Sequence, residues 1–117
     1  MRRIIAILGA MLIMAGCSKE GAGIAGSWKS STSDGTLFLE LKSGGNGVAY
    51  FDGCQSSSAF WSSEGKDIKI IGHAYSEDFK LYTFGSGTVN DGLMRIEATV
   101  SRAYASDKTV TLTFSKQ

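Results

Sequence analysis

Proline is absent from all 117 residues of this chain. Every reversal of direction therefore falls to Gly, Asn, Asp and Ser, which tolerate a positive φ or hydrogen-bond their own backbone. Clusters of these residues recur at regular intervals, and between them apolar and polar residues alternate. This rhythm of strand-length runs closed by tight turns constrains the fold more than any other feature of the sequence.

Over residues 36–42, Leu37, Leu39 and Leu41 fall on one face and Thr36, Glu40 and Lys42 on the other, the period-two signature of a half-buried strand. Phe38 lies opposite the leucines. Residues 43–47, Ser-Gly-Gly-Asn-Gly, force a reversal into a second run at 48–52. The chain turns again at Asp52 and Gly53, residues 57–63 carry Ala59 and Trp61 on one side, and Glu64, Gly65 and Lys66 close a hairpin onto a run at 68–72. A less regular stretch covers 73–78. Residues 79–84 then place Phe79 and Leu81 on one face, and Asn90-Asp91-Gly92 is a strong hairpin signal. Met94, Ile96, Ala98 and Val100 face one way, and the last run, 109–115, points Val110, Leu112 and Phe114 inward and Thr111 and Thr113 outward.

With 27–30 as a first strand, the chain holds about eight short strands, the pattern of an antiparallel sandwich or barrel. Consecutive hairpins favour a meander, and a meander of this length hides its edges most simply by closing on itself. The expectation is an all-β, antiparallel up-and-down β-barrel, with a β-sandwich as the alternative. An eight-stranded barrel has room for its own side chains or one small ligand. The inward set (Leu37, Leu39, Leu41, Trp61, Ile68, Ile70, Leu81, Ile96, Val110, Leu112 and Phe114) is bulky, and only Ala59 and Ala98 offer space. A filled interior is expected.

The first sixteen residues have a different character. Arg2 and Arg3 are basic, residues 4–14 are almost wholly apolar, and Ala15-Gly16 supplies small residues before Cys17, the order of an export signal. The apolar run is short of the roughly 18–20 residues that cross a bilayer as a helix. Met14-Ala15-Gly16-Cys17 resembles the lipobox of bacterial lipoproteins, with Met14 where that family prefers Leu. The resemblance implies cleavage after residue 16 and acylation of Cys17. More than one acyl chain makes such anchoring stable. Ser18 in place of an Asp implies the outer membrane, facing the periplasm, with cell-surface display as the alternative. Residues 17–25 read as a Gly- and Ala-rich tether and 26–117 as the folded domain.

Loss of Arg2 and Arg3 leaves ten basic against eleven acidic residues, a charge of −1. Basic residues are scattered singly, so the electrostatic footprint of nucleic-acid binding is missing. Gly26-Ser27-Trp28 opening the first strand, Phe60-Trp61-Ser62 in the fourth and a Thr-Leu-Thr-Phe ending at 111–114 are similar to the small lipocalin-like domains of bacterial lipoproteins. That resemblance implies a small barrel that holds an apolar ligand, with Trp28 packed at one end.

Catalysis by acid–base or nucleophilic means needs a base held against a nucleophile. The single histidine, His73, sits in the irregular stretch beside Gly72, no G-x-S-x-G motif occurs, and Glu77-Asp78 reads as a solvated turn. A structural zinc wants about four ligands, more than one Cys and one His supply. No catalytic residue, metal or cofactor is expected. Candidate contact residues are instead aromatic: Phe38, Phe51, Phe60, Tyr75, Tyr82 and Tyr104. Cys54 is the thiol left over once Cys17 is acylated, a free thiol or the site of an intermolecular disulfide. The expected role is non-enzymatic binding of a protein or envelope component through the surface. The alternatives are carriage of a small apolar ligand and inhibition of an envelope-attacking enzyme.

Overall fold

A computed structural model describes residues 23–117, so the export signal and Cys17 lie outside the described residues. The eight strands are β1 (Gly26–Thr32), β2 (Gly35–Leu41), β3 (Asn46–Phe51), β4 (Ser57–Glu64), β5 (Asp67–Tyr75), β6 (Leu81–Asn90), β7 (Leu93–Ser101) and β8 (Lys108–Lys116). Each pairs antiparallel with the next and β8 returns to β1, a closed up-and-down barrel. Short reversals at 42–45, 65–66 and 91–92 gather at one end with Gly23 and Gln117, the first and last described residues. Longer connections at 52–56, 76–80 and 102–107, with the turn at 33–34, form the opposite, distal end.

Turn chemistry explains the hairpins. Asp91 (φ 52°) and Gly92 (φ 78°) are both left-handed, the pairing that matches the twist of two antiparallel strands. Inside β6 a different glycine matters: the register with β7 shifts between Phe84 and Gly87, and a Cβ at Gly87 would lie 1.7 Å from the Arg95 carbonyl oxygen. The missing side chain lets the strands approach at the bulge.

The interior is filled as expected by Leu37, Leu39, Leu41, Trp61, Ile68, Ile70, Ile96, Leu112 and Phe114, joined by Trp28, Phe51, Tyr82, Phe84 and Met94. Both tryptophans seal the terminal end. Trp28 is fully buried, donates from Nε1 to the Ile24 carbonyl at 2.8 Å and lies under the Lys116 ammonium, 5.7 Å from the ring centre. Trp61 donates to the Lys42 carbonyl at 2.9 Å, tying the β2–β3 turn down. Buried indole N–H groups need such partners.

The structure corrects the reading of β6. Phe79 is exposed and Leu81 only half-buried, because residues 76–80 form a turn and the strand begins at Leu81; Tyr82 and Phe84 take the inward positions. Val110 is likewise half-buried. His73, read as part of an irregular loop, belongs to β5.

Candidate interaction face and cleft

Period-two geometry sorts the candidate aromatics. Phe51 closes β3 with inward parity and is buried, and Tyr82 is buried by the same logic, so neither is the surface contact expected of it. The two rings meet edge to face inside the distal end, 5.0 Å between centroids. Phe38 is half-covered, stacked on Tyr50 across the β2–β3 register at 5.2 Å. Tyr50 in turn donates to Glu40 Oε2 at 2.8 Å, a bond that raises its pKa together with burial. Tyr104 stands fully exposed in the β7–β8 loop, apart from the other rings.

Phe60 and Tyr75 fall into a larger arrangement. Phe60 and Ile71 are direct cross-strand partners on the outer face of β4 and β5, 57% and 62% exposed. Ile71, His73 and Tyr75 follow at alternate exposed positions along β5, just past a register shift with β6 between Lys69 and His73. The His73 and Tyr75 rings meet edge to face at 5.7 Å. Tyr75 is 49% exposed and Phe79, just beyond it, 82%. An apolar stripe therefore runs up the outside of the barrel to its distal rim. The parity of Ile71 against Ile68 and Ile70 carried this signal in the sequence; Phe79 left none, because its position depends on where the turn ends.

At the rim the stripe enters a cleft of about 570 Å³ lined by Cys54, Gln55, Ser56 and Ser57 on one side and Tyr75, Ser76, Glu77 and Phe79 on the other. Strand registers create it. The β4–β5 pairing stops at Ala59–Gly72, while β5 continues to Tyr75, paired with β6 through Tyr75–Leu81. Similarly β3 pairs with β4 only as far as Ala49–Ser57. β4 starts late between neighbours that reach further at the distal end, β3 to Phe51 and β5 to Tyr75, and its wall is notched there. Among the described residues Cys54 has no disulfide partner; it is half-buried against the core, its N–H bonded to the Phe51 carbonyl at 2.9 Å.

The turn 76–80 is tightly tied: Ser76 N–H to the Lys80 carbonyl at 2.9 Å, Phe79 N–H to the Ser76 carbonyl at 2.9 Å, and Lys80 N–H to Ser76 Oγ at 3.1 Å. These bonds hold Phe79 at φ 63°, a left-handed backbone that L-residues adopt at a cost of about 1–2 kcal/mol. Tyr104, in the β7–β8 loop, shares this conformation at φ 62° with its ring fully exposed. No protein-family model matches the chain, and neither a curated protein nor a solved structure is significantly similar to it.

Across the mouth, Asp34 in the β1–β2 turn accepts from Lys80 Nζ at 2.7 Å and from the Tyr82 hydroxyl at 2.5 Å. β1 and β6 stand on nearly opposite walls, so this turn leans over the interior and latches there. Burial pushes the Tyr82 hydroxyl up to about 12, with help from its bond to Asp34. Burial acts to raise the Asp34 carboxyl too, but the Lys80 and Tyr82 hydrogen bonds and the charges of Lys80 and Arg102 outweigh it and hold it below its ordinary value. Among the described residues no cluster of three or more His, Cys, Asp or Glu is placed to hold a metal.

Proposed function

We propose that this chain is a lipid-anchored protein of the bacterial envelope, held through Cys17, which binds a partner protein or envelope component through the stripe and catalyses no reaction. The observation that carries the reading is the alignment of exposed Phe60, Ile71, Tyr75 and Phe79, with His73 between Ile71 and Tyr75, outside a barrel whose interior is occupied by its own side chains. Large apolar groups scattered singly need no explanation, but aligned ones mark interaction surfaces. A packed interior also weighs against carriage of an apolar ligand. The order basic, apolar, small-small-Cys over residues 1–17 supports the anchor.

Photo-crosslinking in the host cell tests the binding role. A photoreactive amino acid at Phe60, Tyr75 or Phe79 of the full chain should give discrete adducts, and one at Thr111 or Thr113, on the far wall, should not. Adducts from the threonine positions alone would overturn the reading. Mass spectrometry of the membrane fraction, with Cys17→Ser as control, tests the anchor: acylation should vanish in the variant.

A further inference from the structure

We infer that the distal cleft receives an extended peptide segment of the partner protein, added as a strand beside the free end of β5, with a Lys or Arg side chain between Tyr75, Phe79 and Glu77. The inference rests on the partner-binding reading and specifies the chemistry of what is bound.

Backbone and charge both point to this occupant. β5 runs past the last β4 register pair at Gly72, so the end at Tyr75 has a strand neighbour on the β6 side and none on the β4 side. Strand edges of this kind are templates for an added strand, whose main chain supplies affinity while alternate side chains enter pockets. The cleft volume of about 570 Å³ falls in the range of sites that enclose a ligand segment. Glu77 lines the cleft, Asp78 follows it, and Asp52 lies in the facing loop; among the described residues none of the three is ion-paired. Of the cations at this rim, Lys80 is taken by Asp34 at 2.7 Å, and Arg102 and Lys108 line a separate depression beside Val100. Two exposed rings beside uncompensated carboxylates suit a cationic side chain, whose charge interacts with aromatic faces and whose stem packs on them. An acidic or purely apolar segment leaves the carboxylates unmatched.

The test uses the detergent-solubilised full chain and capped heptapeptides of alternating Thr and Val whose central residue is Arg, norleucine or Glu. The Arg peptide should bind tightest and the Glu peptide weakest. Methylation of alternate backbone nitrogens in the Arg peptide should abolish binding, and Glu77→Gln should weaken it about two- to fivefold. Bound peptide should slow alkylation of Cys54 and protect amides in residues 73–77 from hydrogen exchange. A Glu peptide that binds as well as the Arg peptide, retention of the methylated peptide, or binding that leaves Cys54 and those amides unchanged would each overturn the proposal. So would absence of binding by every peptide. Crosslinking from Phe60 and Tyr75 alongside any of these failures would leave the partner-binding reading standing and remove only the peptide-strand assignment.

Discussion

Phe79 combines a left-handed backbone with a ring left in solvent, so neither its conformation nor its side chain stabilises the fold. Phe79→Gly relieves about 1–2 kcal/mol of backbone strain and adds about 0.4–1 kcal/mol of unfolded-chain entropy. Chemical denaturation should therefore show stability unchanged or raised by up to about 1 kcal/mol, while crosslinking through the neighbouring Tyr75 falls. A loss of stability larger than that would mean the ring packs after all. Gly87 behaves in the opposite way. An added Cβ would meet the Arg95 carbonyl oxygen at 1.7 Å and its carbon at 2.7 Å, backbone atoms that cannot rotate aside. Gly87→Ala should destabilise by about 1–3 kcal/mol, whereas Ser86→Ala, at the exposed neighbour, should stay within about 0.5 kcal/mol.

The elements were legible wherever alternation ran uninterrupted. β2, β7 and β8 show their inward faces directly in the order of Leu37-Leu39-Leu41, Met94-Ile96-Ala98 and Leu112-Phe114. β6 was not, because Gly85-Ser86-Gly87 sits inside the strand as a bulge and the preceding turn shifts the parity of Phe79 and Leu81. The cleft was illegible for a related reason: it exists where strand registers stop, and register is a property of pairs of strands. The Asp34 latch joins residues 48 apart, Asp34 and Tyr82, and no local pattern announces it. It makes the β1–β2 turn sensitive to pH. A carboxyl held below its unfolded value of about 3.9 contributes stability above that pH and loses it as the pH falls through the folded value. Tyr82, raised to about 12, contributes fully below its model value of 10.0 and loses that contribution as pH climbs through its folded value. Asp34→Asn should lower stability at pH 7 by about 1–3 kcal/mol and flatten the decline below about pH 4. Tyr82→Phe should flatten the decline between about pH 10 and 12. Denaturation midpoints measured in both the acidic and the alkaline window read the two effects.

The whole molecule has two unlike ends. Gly23 and Gln117, the first and last described residues, lie with the short turns at one end, and the cleft opens at the opposite rim. The barrel's closure is also uneven: β7 and β8 pair from Leu93–Ser115 to Val100–Lys108, whereas β1 meets β8 through Trp28–Lys116 and Lys29–Ser115. Lys116 reinforces that seam with a bond from Nζ to the Gly23 carbonyl, 93 residues away in the chain. Contacts between chain ends carry the largest loop-closure cost and form late, after the local hairpins. Interactions absent from the folding transition state govern the rate of unfolding far more than the rate of folding. Removal of residues 115–117 should accordingly leave the refolding rate nearly unchanged in stopped-flow measurements and accelerate unfolding. The lifetime of the folded barrel, as distinct from the speed with which it forms, then rests on a seam of two residue pairs at the end opposite the cleft.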